Sequence, residues 1–408
     1  MNNEYIKPYQ DETERCLRCG ICLGFCPVYH AERHEGTVAR GKIRMTRELL
    51  EGNLQLTPRL RKFMDLCLGC QACAESCPNK IPTDKIVAAA RAQFVKDQGL
   101  PLVYYLALRW GLKNPAVMET VFASLGLARN LSLTKLLPHS LKEKEEILPP
   151  LPSKTFWEQY KAKPGSGKKV AYFVGCMTNL VSPQVGLTAV RMLEAHGYEV
   201  IVPKVYCCGL PHYSSGDMDT ARELALKNLD IFTTYDVEAV LTDCGSCGSA
   251  LREYPHWLKD QDQSKAQEFA GKVRDITEFL VNDAGIKPGS LALNRTVTYH
   301  DSCHLNRTMG VTREPRLLLK SLPGVEYREM IDANRCCGGA GTFNIKNPEV
   351  SMKILEHKMA NTKATGADTL AVGCPSCRMQ LALGARKFNV PVEILHPVEL
   401  LAMSYGQK

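Results

Sequence analysis

No stretch of this 408-residue sequence approaches roughly 18 uninterrupted apolar residues. The most apolar part, 100–133, is broken by Arg109, Lys113, Asn114, Glu119 and Arg129, which predicts a chain that does not cross a membrane by itself. The first residues, MNNEYIKPYQDETERC, lack the apolar core that a secretion signal needs, so the thiols are expected to face a reducing cytoplasm. Nucleotide-binding loops are missing too. Near Gly165 the Walker spacing fails because Ala162 stands where its first glycine belongs, and neither that segment nor the one at Gly338 fits G-x-G-x-x-G. The net charge of +8 comes without a basic stripe interleaved with aromatics and without a nucleic-acid motif. It reads as ordinary solvated charge, and nucleic acid is not an expected partner.

What the sequence has in excess is cysteine: 18 of them, in a chain otherwise ordinary at 45% hydrophobic and 23% charged residues. A small secreted scaffold would use them as disulfides, but the length and the spacings point to metal or redox chemistry. Eight fall in residues 1–95. A helix-rich extension and a linker follow at 96–168. The linker is marked by Pro138, Pro149, Pro150, Pro152 and Pro164, a charge run at 142–146 and the flexible Gly165-Ser166-Gly167. The remainder divides into two similar halves, 169–290 and 291–408.

The first eight cysteines form two runs of one pattern: Cys16, Cys19, Cys22 and Cys26-Pro27, then Cys67, Cys70, Cys73 and Cys77-Pro78. Three closely spaced thiolates on a tight loop reach three irons of one cube, while the fourth, beyond the turn, points at the other cube. The expected ligand sets are therefore Cys16, Cys19, Cys22 and Cys77 for one [4Fe-4S] cluster, and Cys67, Cys70, Cys73 and Cys26 for the other. Gly20, Gly24 and Gly69 would let backbone N–H groups approach the sulfurs. A pair of zinc sites also uses C-x2-C thiolates, but the three-toothed comb with Cys-Pro is the cluster pattern. Between the runs, GKIRMTRELLEG and TPRLRKFMDL read as helices, the second with Pro58 near its start, so an α-helical ferredoxin domain is expected.

The two later halves repeat one order of thiols. KVAYFVG leads to Cys176, followed by Cys207-Cys208-Gly209 and, after VEAVLTD, by Cys244 and Cys247. TVTYHDS leads to Cys303, followed by Cys336-Cys337-Gly338 and, after DTLAVG, by Cys374 and Cys377. Matching cysteines stand 127 (176 to 303), 129 (208 to 337) and 130 (247 to 377) residues apart, which is duplication. Helical periodicity at 183–196, 218–232, 348–361 and 376–387 makes each half β-α-β-α. That order implies a small parallel sheet with Cys176, Cys244, Cys303 and Cys374 just beyond strand ends. Adjacent cysteines suit one tetrahedral zinc poorly but can bridge irons in an irregular cluster, and five thiolates exceed what a cubane needs. A redox dithiol would require neither the adjacent pair nor the distant first cysteine. The fold class expected is thus α+β and multidomain: an α-helical ferredoxin with two [4Fe-4S] clusters, then a duplicated α/β cysteine-rich module.

At these residues the sequence resembles the CCG domain of heterodisulfide reductase catalytic subunits, and the whole order of domains resembles the glycolate oxidase iron–sulfur subunits. Supporting matches are ARGK at 39–42, CCGLPHYSSGD at 207, YHDSCHL at 299 and CCGGAGTFNI at 336. The resemblance implies one or two noncubane [4Fe-4S] clusters. One would use Cys176, Cys207, Cys208, Cys244 and Cys247; the other, Cys303, Cys336, Cys337, Cys374 and Cys377. It further implies an electron-transfer subunit serving a flavin-containing 2-hydroxy-acid dehydrogenase of glycolate or lactate type, cytoplasmic and reaching the membrane's inner face only through a partner. Clusters accept single electrons, so a flavin must mediate oxidation of the acid. FAD is expected on a partner subunit and not on this chain. The electron acceptor would be a quinone, a membrane complex or a soluble carrier. Both C-x2-C pairs are intact, which keeps open an alternative, a catalytic subunit reducing a disulfide at a noncubane cluster. His212, His300 and His304 lie beside cluster cysteines as candidate proton donors or tuning groups, although such histidines more often only support the ligands.

Overall fold

Helix signals in the first domain act where their chemistry requires. The hydroxyl of Thr57 accepts the Leu60 N–H at 3.2 Å, and Pro58 opens the helix Pro58–Asp65 with a ring that costs no needed donor. This helix, Ala39–Leu50 and Thr83–Gln98 pack around Leu49, Leu60, Met64, Val87, Ala90 and Phe94, forming the floor on which both cysteine combs lie. The third helix runs through residue 95 and stops at Gly99. The structure is a computed structural model that describes residues 3–407 apart from 137, 139–144, 164 and 260. Three residues of the charge run, 142–144, and Pro164 therefore lie outside the described residues.

Residues 102–130 form the short helix Leu102–Tyr105, a π-helical stretch Leu106–Leu112 and the helix Pro115–Asn130. Leu102, Val103, Trp110 and Leu127 stand exposed on it. It is fastened to the first half by Arg109 on Asp217, Lys113 on Glu223, and Asn179 donating to Glu119. No helix among the described residues is long and apolar enough to cross a membrane. The stretch read as linker is not free throughout. Thr155 and Glu158 cap each other's backbone around the helix Phe156–Gln159, and Phe156 is fully buried against Gly186, an anchor of about 2 kcal/mol.

Each half contains a four-stranded parallel sheet, two strands more than the sequence pattern indicated. Strands β1 (Lys169–Tyr172), β2 (Glu199–Ile201), β3 (Ala239–Thr242) and β4 (Val273–Asp275) are ordered β2-β1-β3-β4. Strands β5 (Arg295–His300), β6 (Val325–Tyr327), β7 (Thr369–Val372) and β8 (Glu393–Leu395) are ordered β6-β5-β7-β8. The inner strands β3 and β7 are buried at every position, so they read as apolar runs, whereas the outer strands have three residues and no readable period. The halves do not have separate cores. Tyr172, Leu193, Leu241, Phe279, Tyr299, Leu318, Ala371 and Leu400 belong to one apolar cluster, and the helix Pro397–Ser404 packs on both Pro183–Ala195 and Arg313–Ser321. Shared packing of this kind holds the two sheets at a fixed mutual position, with their carboxyl ends meeting at one centre.

Candidate functional site

Both combs use the same backbone device. Arg18 and Gly20 in the first, and Gly69 and Gln71 at the matching positions of the second, all have left-handed φ of 54–83°. Two such residues curl the loop tightly enough to aim three thiols inward. The fourth thiol leaves because Cys26, ahead of Pro27, is held extended (φ −78°, ψ 112°) and caps the next helix, its sulfur accepting the Tyr29 N–H at 3.5 Å. The outcome is two cups. Cys16, Cys19, Cys22 and Cys77 line one, and Cys26, Cys67 and Cys70 line the other, with Cys73 bordering both. Burial pushes the Cys70 and Cys73 thiols up, an unfavourable place for thiolates without cations nearby.

The ARGK segment serves both cups. A Cβ on Gly41 would lie 2.2 Å from the Glu35 carbonyl oxygen, so only glycine permits this approach. Arg40 pairs with Glu35 and donates to the Arg18 carbonyl at 3.4 Å, bracing the first comb. Lys42 is buried, donates to the Thr37 carbonyl and faces the second cup; burial lowers its pKa while Cys67 and Cys26 pull it back up.

In the duplicated module the strand ends deliver the thiols. Cys176 and Cys244 follow β1 and β3, Cys303 and Cys374 follow β5 and β7, and the adjacent cysteines enter from the loops after β2 and β6. Gly209 (φ +85°) and Gly338 (φ +88°) turn the chain sharply after each pair, so that both neighbours face inward. All 18 thiols are free. Within each half they touch one another. Donation from Cys207 and Cys247 pulls the Cys208 thiol down to about 5, and donation from Cys303 and Cys337 pulls Cys336 well down. Their hydrogen-bonded neighbours, with burial adding to the effect, push Cys176 and Cys377 up. Neighbouring thiols thus hold negative charge on Cys208 in the first half and on Cys336 and Cys374 in the second, and five packed free sulfurs in each half form a set that could hold an iron–sulfur group. The all-sulfur composition fits thiophilic metal, and the number exceeds a tetrahedral zinc site.

The two halves meet directly: Cys244 Sγ and Cys374 Sγ are 4.0 Å apart, and Ser246 Oγ is 3.5 Å from the latter. The second half also abuts the second comb. Cys336 lies close enough to Cys70 for its charge to help raise the Cys70 pKa, Cys70 acts likewise on Cys303, and Arg307 ties Glu75 and the Cys70 carbonyl to the second half. A cavity of about 280 Å3 opens at this meeting point, lined by cysteines of both halves and by Cys67.

The three histidines occupy different settings. His304 lines the central cavity, with Nε2 3.3 Å from the Gly69 carbonyl and Nδ1 3.4 Å from Ser246 Oγ. His212 is buried away from it, its Nδ1 3.3 Å from Asp217, the carboxylate that Arg109 also grips. His300 is fully buried, its pKa pulled down to about 3 by desolvation, and it lies within 4.8 Å of the Cys337 and Cys377 sulfurs. The sequence offered no signal for three further buried groups. Lys358 donates to the Asp332 and Ala333 carbonyls beside Cys336 and Cys337, and burial lowers its pKa to about 8. Asp243, preceding Cys244, accepts from Tyr172 at 2.7 Å and Thr178 at 2.8 Å. His396 reaches the Asp243 carbonyl oxygen at 3.2 Å. Their spacing is that of ordinary core positions, and only the fold carries them to the thiols.

Comparison with known proteins agrees with this layout. A 4Fe-4S dicluster domain matches residues 12–81, and a cysteine-rich domain matches twice, at 170–252 and 297–382. The probable glycolate oxidase iron–sulfur subunit of Bacillus subtilis is 33% identical over all of this chain and 98% of its own length. One subunit of the fumarate reductase (CoM/CoB) of Methanothermobacter marburgensis is 29% identical over 98% of this chain and 75% of its own. Lactate utilization protein A of Bacillus subtilis is 35% identical over 57% of this chain and 98% of that protein. Among solved structures, a hypothetical protein from Helicobacter pylori shares the fold with a TM-score of 0.51 at 10% identity, covering 100% of this chain and 77% of that one. With its dicluster domain, its paired cysteine-rich domains and full-length similarity to such a subunit, this chain belongs to the family of glycolate oxidase iron–sulfur subunits.

Proposed function

We propose that this chain is the electron-carrying subunit of a flavin-dependent dehydrogenase complex acting on a 2-hydroxy acid of the glycolate or lactate type. Cys16, Cys19, Cys22 and Cys77 would hold one [4Fe-4S] cluster, and Cys26, Cys67, Cys70 and Cys73 the other. The five thiols of each later half would hold a noncubane cluster. When bound, such clusters take up and release single electrons. The protein's own part is positional: its backbone cups, buried N–H donors and shared core keep the four sulfur groups at fixed separations. FAD would reside on a partner subunit, and the electrons would leave to a quinone, a membrane complex or a soluble carrier.

The observation that carries this reading is the unbroken succession of sulfurs. It runs from the first cup through Cys73 to the second, from Cys70 to Cys303 and Cys336, and across Cys374 to Cys244 at 4.0 Å. A close succession of sulfurs suits the passage of single electrons. The test is anaerobic affinity purification from the native host. A flavoprotein should accompany the chain, and the mixture should reduce an artificial acceptor with glycolate or lactate. Purified chain that brings no flavoprotein and supports no such reduction would reject the reading.

One observation favours a second reading, disulfide reduction. The central cavity of about 280 Å3 touches cysteines of both halves and has His304 at its wall. A thiol-dependent paramagnetic signal in half-reduced protein, lost in Cys336→Ser, would favour it.

A further inference from the structure

The two halves are chemically unequal around their thiols. β1 leads into Tyr172 and Phe173 before Cys176; β5 leads into Tyr299 and His300 before Cys303. Phe173 is buried and stacks near Phe232, with no polar atom to satisfy. His300 is equally buried, and neither Nδ1 nor Nε2 makes a well-formed hydrogen bond, the Ala333 carbonyl lying near the ring without good geometry. A neutral imidazole carries both an N–H and a lone pair, and a dry interior leaves neither idle without cost. Its nitrogen and the Cys337 and Cys377 sulfurs all lie within 4.8 Å of one another, the spacing of groups that share a metal.

Two more substitutions between the halves act in the same direction. Counting from the helix starts at Met218 and Pro348, Asn228 and Lys358 hold equivalent positions. Asn228 uses its amide to bind the Tyr206 N–H and the Cys207 carbonyl, whereas Lys358 brings an ammonium to the Asp332 and Ala333 carbonyls. Ahead of Cys244 stands the buried carboxyl of Asp243; ahead of Cys374 stands Gly373. Asp301, an acidic group two residues ahead of Cys303, is held at 2.8 and 2.7 Å by both arms of Arg316.

We propose that a ring nitrogen of His300 contacts the iron–sulfur cluster of the second half, and that this contact, reinforced by Lys358, gives that cluster the higher potential of the two. The inference rests on the reading above that both halves hold clusters. An imidazole N–H directed at cluster sulfur and a nearby positive charge both favour the reduced form. One electron would leave the first half, enter the second across Cys244 and Cys374, and rest beside Cys70, with no bond made or broken.

The test uses full-length chain, isolated anaerobically after labelling its histidines with 15N, together with His300→Phe, which copies Phe173, and the converse Phe173→His. Iron and acid-labile sulfide are measured on each sample before a redox titration followed by paramagnetic resonance with nitrogen hyperfine detection. The wild type should show histidine-nitrogen coupling on the higher-potential noncubane cluster. His300→Phe should abolish it and shift that cluster's electron equilibrium tenfold or more towards oxidation, which is 59 mV for one electron. Phe173→His, retaining iron, should raise the other cluster. Iron-replete wild type without histidine coupling, or a His300→Phe variant whose potential does not move, overturns this inference alone. Wild type lacking iron in the second half overturns it together with the cluster assignment on which it rests.

Discussion

Replacing Gly338 with alanine tests whether the adjacent cysteines depend on backbone handedness. Gly338 has φ +88°, and a Cβ there would lie 2.8 Å from the Ser351 carbonyl oxygen and 3.3 Å from Ile354 Cβ. Left-handed backbone costs alanine about 1–2 kcal/mol. The carbonyl contact is to main chain of the helix Pro348–Ala364, which cannot swing aside like a side-chain tip, and overpacking of this type adds about 1–3 kcal/mol. The total, about 2–5 kcal/mol, falls on the residue next to Cys337, so the local structure should relax by moving that thiol. Gly341 is the control: it is also left-handed, at φ +64°, but a Cβ there meets nothing within 4 Å, so Gly341→Ala should cost only about 1–2 kcal/mol. The assay is iron per chain after anaerobic isolation, with the urea midpoint for bleaching of the visible absorbance. Gly338→Ala should lose iron and bleach at clearly lower urea than Gly341→Ala. Equal behaviour of the two variants would refute the reasoning.

Other substitutions probe other parts. Cys26→Ser should empty the cup of Cys67, Cys70 and Cys73 and leave the cluster beside Cys16, Cys19 and Cys22 intact, as read from the two cubane signals by paramagnetic resonance. Loss of the first signal instead would mean that the fourth thiols do not cross over. Lys42→Met removes a buried ammonium facing Cys67 and Cys26, and a redox titration should find the potential of that cluster lowered and the other nearly unchanged. Arg109→Ala leaves the buried Asp217 with His212 and Thr220, a loss of about 2 kcal/mol once the partial exposure of Arg109 is allowed for, and it should raise protease cleavage within 102–130. Burial opposes the ionisation of Asp217, but His212 and Arg109 outweigh it and hold the pKa below the usual range. Its contribution is therefore complete above about pH 4 and drains as the pH falls further, so cleavage of the same segment should rise in acid in the wild type and depend less on pH in Asp217→Asn.

The legible features were those with a local cause. Comb spacing, Cys-Pro and the duplicated order of thiols each express a turn made by a few neighbouring residues, and helices such as Pro58–Asp65 and Met218–Phe232 appeared where caps and periodicity placed them. Strands β2, β4, β6 and β8 escaped because three residues cannot display a period and edge positions need no apolar run. Phe156 escaped for a related reason, as a single buried side chain in a proline-rich stretch has no pattern. The meeting of the second comb with the second half rather than the first is invisible in the sequence, since it depends on Arg307, Thr308 and His304 reaching back to 69–75. Lys358 and Asp243 were silent for the same reason: burial, and not residue type, makes them relevant to the thiols.

The electron-carrying role requires the eighteen free thiols to bind iron in four separate groups. Mössbauer spectroscopy of anaerobically isolated, 57Fe-enriched chain, with zinc, iron and sulfide measured on the same sample, tests this directly. Iron and sulfide in equal amounts, resolved into cubane and noncubane environments of similar weight, is the predicted result. A colourless protein carrying zinc or disulfides, or iron confined to the two cubane environments, would contradict it.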